Sequence, residues 1–526
     1  MDLPPLLPRI SDYLDWHAAR TPEAEALVLG GERIRYRQLK KKVDALARAL
    51  MAAGVAKGDR VCVLQTPHPE YFVTFLAAAS IGAIWVGLNP RYQLQELSHV
   101  ISDADPHLLI ARSRIAGRDY SDDLAALQGL ACNVERTVIF AGDPVVAGAE
   151  PMEGFVDRGR QVSDEDLTAR RMNCGGRDPC MLVYTSGSTG KPKGAVLHHE
   201  GVCRFSLEQN RLWPLSPYRS LNYFPINHVG CVLDCSTPAL VAGGTMVMME
   251  QFDPVRSMEL IQSERISIWG SVPSVFQMQL ALPDFDKYDL SAVQLIVWEG
   301  AAMPADLIEP LRRITPRLAT NYGMTETTSA ITIVEPTDDL DVLANSVGVA
   351  FPGVEIRLAG PDGGEVGKGA TGEVQARSAG NLIGYWKQDT ATRDAFTDDG
   401  FFRTGDLAER RQDGRYRIVG RIKEMYKSGG YNVYPREIET ALEAHPAVAL
   451  AAVVSVPDPV WQEVGVAYVT LKSEATTEQI LAHCRAHLAN YKVPKLVVFE
   501  SELPLLPIGK IDKVTLSRRA RDIDSA

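Results

Sequence analysis

The chain has 526 residues, 45% hydrophobic and 23% charged, with a net charge of −11. That length is more than one ordinary core holds and implies about two to four domains. The composition excludes a disordered chain, and the acidic balance excludes a face built for the phosphate backbone of a nucleic acid.

The opening run MDLPPLLPRISDYLDW carries acids where an export signal needs basic residues and then an apolar stretch, so a cytoplasmic protein is expected. Eight cysteines lie scattered, without the paired spacing of a zinc site, and read as reduced thiols. The helical pattern LKKKVDALARALMAAG is followed by short apolar runs, RVCVLQ, HLLIA, RTVIFA, TMVMM and LIVWEG, alternating with further helical patterns to about residue 330. Such repetition predicts layered parallel sheets with helices. Tyr71 to Leu88, YFVTFLAAASIGAIWVGL, has no charge and approaches the length of a bilayer span. Gly82 divides it into a small-residue helical half and a β-branched half, so it is expected to be a buried helix and a buried strand, with no integral membrane segment.

From about Ser346 the texture changes to short strands with turn signals: PDGGEVGKGATGEV, Asp399-Gly400 and Asp413-Gly414 are hairpin candidates. Beyond GRIKEMYKSGG come a helix from near Pro435, strands VALAAVVSV and EVGVAYVTL, and a helix over Glu478 to Leu488. The expected fold class is α/β: a large multi-subdomain N-terminal domain of layered sheets plus a β-rich subdomain, residues 1–422, and a small mobile α+β C-terminal domain, residues 423–526. The absence of a low-complexity linker makes the boundary a short hinge, near Arg421 to Glu424.

Five short stretches carry candidate chemistry. YTSGSTGKPKGAV, from Tyr184, gathers glycines, hydroxyls and two lysines between two strand-like runs. It lacks the spacing of a Walker loop, and Pro192 stands where a metal-binding hydroxyl would be; its backbone amides, hydroxyls and Lys191 could still surround an anion. In NYGMTE, Thr325 and Glu326 could hold a phosphate oxygen and a magnesium ion, or could simply start a helix. RTGDLAE puts Asp406 on a glycine turn, where a carboxylate could accept both hydroxyls of a ribose. GRIKEMYKSGGYN supplies Arg421, Lys423 and Lys427, which also read as a solvated basic loop. PIGKIDK presents Lys510, which also reads as a tail.

In this order and spacing, YTSGSTGKPKG, NYGMTE, RTGDL, GRIKE and GKIDK resemble the core motifs of the adenylate-forming superfamily, over about residues 10 to 515. The acid:CoA ligase branch fits best. The resemblance implies an ATP-dependent enzyme that makes an acyl-adenylate from a carboxylic acid and then an acyl-CoA thioester, releasing AMP and pyrophosphate, with Mg2+ as cofactor and coenzyme A as cosubstrate. It implies that Thr185, Ser186, Gly187, Ser188, Thr189, Gly190 and Lys191 hold the leaving phosphates, that Thr325 contacts the α-phosphate and that Glu326 binds the metal. Asp406 and Arg421 would take the ribose; Gly300, Ala301 and Ala302, with Tyr322, would enclose adenine, and Asn321 and Gly323 would also belong to the nucleotide site. Lys510 would bridge the attacking carboxylate and the α-phosphate. The small domain would turn about Lys423 to bring Lys427 and the Ser428, Gly429, Gly430 loop to the site, where the glycines leave room for the pantetheine arm.

For the acid, His228 in FPINHVG matches the position beside the acyl pocket of the resembled family, and Val229 stands where activators of amino acids usually place Asp. The run VGCVLDCSTPALVAGG is small and apolar, which suits an aliphatic, aryl or alicyclic acid. WEGAAM departs from the usual Ser-Gly-Gly-Ala and puts Trp298 and Glu299 near pocket or adenine. Transfer to a carrier-protein pantetheine, a catalytically inactive nucleotide-binding regulator, and a homo-oligomer all stay open at this stage.

Overall fold

The apolar runs of the first 330 residues become strands of two large sheets. The computed structural model describes residues 3–130, 136–185, 192–506 and 510–524. In a nine-stranded sheet, Arg219–Asn222, Thr245–Met248, Ile268–Ser271, Leu295–Trp298 and Leu318–Met324 run parallel. Register pairs Ser271 with Trp298 and Trp298 with Thr320, so the carboxyl ends of these strands reach one common edge. Loops leaving such an edge are where an open α/β sheet collects ligand-binding groups.

In the eight-stranded sheet, Arg60–Leu64, Ile84–Leu88, Leu108–Ala111 and Arg136–Ile139 are parallel, and Pro179–Thr185 joins parallel to Ile84–Leu88. The parallel expectation stops there. Lys193–His198 returns antiparallel beside Pro179–Thr185, with Thr185 opposite Lys193, because the connection between them is too short for a helical crossover. The other sheet likewise ends in antiparallel strands, Ser329–Ile333 and Glu32–Arg35.

The uncharged segment divides at Gly82 into the helix Pro69–Ser80 and the strand Ile84–Leu88. Every helix residue but Glu70 is buried, since it packs against strands of both sheets; a helix apolar all round is what that position requires. Among the described residues no helix is long and apolar enough to cross a membrane. The run expected to line an acyl pocket winds as a π-turn, Gly230–Ser236, before the helix Thr237–Ala242. Asn222 Nδ2 donates to Cys231 O (3.0 Å) and Ser236 Oγ (3.0 Å), which holds the wider turn in place.

A four-stranded antiparallel sheet follows: Val354–Ala359, Thr371–Ser378, Phe402–Arg410 and Tyr416–Arg421. Asp413-Gly414 lies between the last two as predicted, whereas Asp399-Gly400 only closes the bridge from Phe396 to Phe402 and joins no neighbouring strands of the sheet.

The chain ends in a smaller α+β unit around Tyr426–Ser428, Tyr431–Val433, Val448–Asp458, Gln462–Leu471 and Leu496–Phe499. Strand alternation explains its two cores. Val453, Ala467 and Val469 meet Ile438 and Leu442 of the helix Pro435–Glu443 and Ile480 of Thr477–His487, while Ala452, Val454 and Val466 meet Leu516 and Ala520. Lys513–Asp524 is therefore a docked helix with an apolar stripe, where the sequence allowed a loose tail. The protein thus combines a large N-terminal α/β domain with a smaller C-terminal one, and Lys472 Nζ of the small unit meets Asp306 Oδ2 of the large one at 2.7 Å.

Candidate functional site

The carboxyl-end loops of the nine-stranded sheet, the antiparallel sheet and the Lys510 segment enclose a cavity of about 2360 Å³. Residues from most of the predicted motifs line it.

At one end stands Asp406. It is paired across the antiparallel sheet with Arg421, whose Nε donates to Asp406 Oδ1 at 2.8 Å, and Tyr322 Oη donates to Oδ2 at 2.7 Å. Asp406 is 2% exposed. Burial pushes its carboxyl above the ordinary range, and the Arg421 guanidinium and the Tyr322 hydroxyl pull the other way. A carboxylate held by two partners that also face the cavity can exchange them for hydroxyls of a ligand.

Glu326 lies in the single 3-10 turn Thr325–Thr327 that ends the strand Leu318–Met324. Its Oε1 accepts from Thr185 Oγ1 (3.3 Å) and from Tyr385 Oη (3.0 Å). Those bonds fix one carboxylate oxygen and leave the other for a hard cation, and no group of three or more metal-ligating side chains occurs among the described residues. A lone carboxylate suits Mg2+ carried mainly by phosphate oxygens and water. Thr185 ends the strand Pro179–Thr185; Ser186, Gly187, Ser188, Thr189, Gly190 and Lys191 lie outside the described residues.

Lys510 crosses the loop after Leu295–Trp298. A Cβ built on Gly300, whose φ of +81° itself favours glycine, would stand 2.9 Å from Lys510 Cε, so any side chain there would make the lysine tip shift. Burial lowers the Lys510 ammonium pKa, the nearby Arg421 adds to that, and Asp406, Glu299 and Asp234 oppose it. Ala301, Ala302, Asn321 and Gly323 also line the cavity, with Lys423 on its rim.

His228, Val229 and Trp298 line the same cavity. Backbone N–H of Gly230 donates to His228 Nδ1 at 3.1 Å; burial, then Lys510, lowers the imidazole pKa to about 4, so the ring is neutral at pH 7. Trp298 is 1% exposed, belongs to the core of the large domain and lines the cavity. Glu299 acquires a clear setting. Asn321 Nδ2 donates to its Oε1 at 2.7 Å, and its carboxyl hydrogen-bonds that of Asp234, to which Ser329 Oγ also donates. Burial and the neighbouring Asp234 push the Glu299 carboxyl well above its ordinary range.

Lys427, Ser428, Gly429 and Gly430 are not brought to the cavity. They form the hairpin of Tyr426–Ser428 and Tyr431–Val433 on another face of the small unit, where Gly429 N donates to Trp461 O at 2.8 Å. Sequence reasoning did not single out Tyr385, which grips Glu326, or the Asp234–Glu299 contact. Tyr385 comes from an edge strand of the other large sheet, and no local pattern announces it.

The sequence matches the family described as AMP-binding enzyme over residues 14–386, and that described as AMP-binding enzyme C-terminal domain over residues 437–510. It is 35% identical over 508 residues to a feruloyl-CoA synthase of an Amycolatopsis species, covering 95% of this chain and 97% of the other. It is 34% identical to an indoleacetate–CoA ligase of Aromatoleum aromaticum, covering 96% of each. The fold superposes on ATP-bound MatB from Rhodopseudomonas palustris with a TM-score of 0.85 at 29% identity, covering 98% of this chain and 99% of that one.

Proposed function

The chain belongs to the AMP-binding enzyme family and is an AMP-forming acid–CoA ligase; within that class we propose that it activates a compact, ring-bearing carboxylic acid and passes it to coenzyme A. The observation that carries the reading is the convergence of Asp406, Glu326 and Lys510, from three separate motifs, on one cavity. The relatives named for feruloyl and indoleacetate substrates favour a ring, as do the buried aromatic walls Trp213, Tyr218 and Trp298.

In this reading ATP binds with its ribose hydroxyls on Asp406, its adenine beside Gly300, Ala301, Ala302 and Tyr322, and its α-phosphate at Thr325. The loop of Ser186 to Lys191 takes the β and γ phosphates. Glu326 would hold Mg2+, which when bound would supply charge neutralisation for the triphosphate. A carboxylate oxygen of the acid attacks the α-phosphorus, the bond to the β-phosphate oxygen breaks, and pyrophosphate leaves. Lys510 stabilises the negative charge shared by the attacking and equatorial oxygens, charge that is greatest in the transition state. Neutral His228 borders the acid without adding a second cation.

Thioester formation then needs a thiol at the acyl carbonyl, with AMP as leaving group. We assign that step to a second orientation of residues 423–526 about Lys423, in which Lys427 and the Ser428, Gly429, Gly430 turn face the adenylate. The pairing of Lys472 with Asp306 across the lobes is solvent-exposed, and breaking it for such a movement costs little. The described cysteines are all free and buried, which supports a reducing, cytoplasmic setting.

The test is pyrophosphate and AMP release with ATP, Mg2+, CoA and a panel of aryl, alicyclic and aliphatic acids. Thioester product with at least one ring-bearing acid is expected. Pyrophosphate release without thioester when CoA is supplied would redirect the reading to a carrier-protein acceptor; no pyrophosphate with any acid would remove it.

A further inference from the structure

The acyl end of the cavity is more polar than the sequence around it. Besides His228 and Trp298, the cavity is lined by Gln209 from the helix His199–Leu212 and by Tyr218 and Ser220 at the start of the strand Arg219–Asn222. These three side chains are 2%, 3% and 4% exposed, yet Gln209 Oε1, Tyr218 Oη and Ser220 Oγ have no hydrogen-bond partner. Buried polar atoms are normally paired, and three unpaired ones lining the same cavity mark where a ligand or ordered water completes them.

The second observation is the carboxyl pair. Asp234, within the π-turn Gly230–Ser236, and Glu299, the residue after the strand Leu295–Trp298, both line the cavity. Ser329 and Asn321 each donate one hydrogen bond to the pair, and the two carboxyls bond each other. Two like carboxyls in contact hold one proton between them and keep a net negative charge. Both carboxyls line the chamber, and after burial their charge is among the influences that raise the pKa of the Tyr218 hydroxyl.

A wholly hydrocarbon acid would seal these groups from water without pairing any of them. Resting on the ligase reading above, we propose that the acid carries a hydrogen-bond donor, an amino or hydroxyl group, on an otherwise apolar body. Asp234 and Glu299 receive that donor, the Tyr218 hydroxyl pairs with the same substituent, and Ser220 and Gln209 accommodate a further polar group. These five residues set which acid is used; Lys510 and the nucleotide contacts are common to every acid.

The experiment uses the full-length enzyme with ATP, Mg2+ and CoA, and benzoic, phenylacetic and cinnamic acids in matched unsubstituted, hydroxy, amino and methoxy forms. In at least one series kcat/KM of the hydroxy or amino acid should exceed those of its unsubstituted and methoxy counterparts by tenfold or more. The amino and hydroxy arms tell a cationic donor from a neutral one. That preference should shrink at least fivefold in Asp234→Asn and Glu299→Gln, chiefly through KM. Tyr218→Phe guards against misfolding: it deletes an unpaired hydroxyl, so Tm should hold or rise while the preference falls. Unsubstituted or methoxy acids used as well as their donor-bearing partners, or a preference unchanged in all three variants, would overturn the proposal and leave the ligase reading standing. No turnover of any acid would overturn both.

Discussion

Lys510 lies across Gly300 with no room for a methyl group between them. The left-handed φ of +81° favours glycine, and a Cβ 2.9 Å from Lys510 Cε would oblige the lysine tip to move. Gly300→Ala should therefore displace the ammonium and slow acyl-adenylate formation by about 10- to 100-fold, since small misplacements of a reacting group cost that much. Adding Lys510→Ala should cost less in the Gly300→Ala background than in the parent, because both changes act on one interaction. Pyrophosphate exchange on the four members of that cycle is the measurement; full additivity would separate the two residues.

Lys510→Ala alone should reduce adenylation by about 10²- to 10³-fold, the usual loss for one preorganised group at a developing charge. Thioester formation from a preformed acyl-adenylate should stay within a few fold. Rapid-quench measurement of both half-reactions checks this, and equal losses in the two would refute the role.

The lowered pKa of Lys510 has a sign that can be read in a pH profile. The ammonium form does the work, so kcat/KM for the acid should fall as pH rises, bending below the 10.5 of an ordinary lysine. Lys510→Arg should remove that bend, whatever its effect on rate, because a guanidinium does not titrate in the range.

Asp406→Asn keeps the shape but loses the charge that Arg421 and Tyr322 bind. Hydrogen bonds to charged groups contribute about 1.5–3 kcal/mol, so the Kd for AMP should rise about ten- to a hundredfold. Calorimetric titration with AMP reads it directly; an unchanged Kd would place the ribose elsewhere.

Burial and Asp234 raise the Glu299 pKa above its ordinary 4.5. Between the ordinary and the raised pKa the folded protein binds more protons than the unfolded chain, so this group stabilises fully below about pH 4.5 and progressively less as pH rises towards its folded pKa. Glu299→Gln keeps an acceptor for Asn321 and a donor for Asp234 without that titration. Its Tm relative to the parent should climb with pH from about 4.5 upward, and a difference flat with pH would mean the carboxyl is not perturbed.

Much of the nucleotide end was legible because its residues sit in short motifs with their own turn chemistry. Asp406 rides a glycine turn and Arg421 faces it through strand register, a relation the motif spacing already contained. Gly300 and Lys510 could be named from their motifs, but that the two touch is a fact of domain packing. Tyr385 meets Glu326 from a different sheet, and Gln209, Tyr218 and Ser220 acquire meaning only as a group with unpaired atoms. The run around Asp234 read as apolar because its composition is; the π-turn decides which of its side chains faces the cavity, and periodicity of 3.6 does not anticipate an inserted residue.

That widened turn also makes the pocket easy to rewrite. Removing one residue between Gly230 and Ser236 would rewind the segment as ordinary α-helix and rotate the downstream side chains by about 100°, withdrawing an acid and presenting a neighbour in its place. A single codon gained or lost, with no change to the nucleotide machinery, could then convert a polar-tolerant lineage into a grease-selective one, or the reverse.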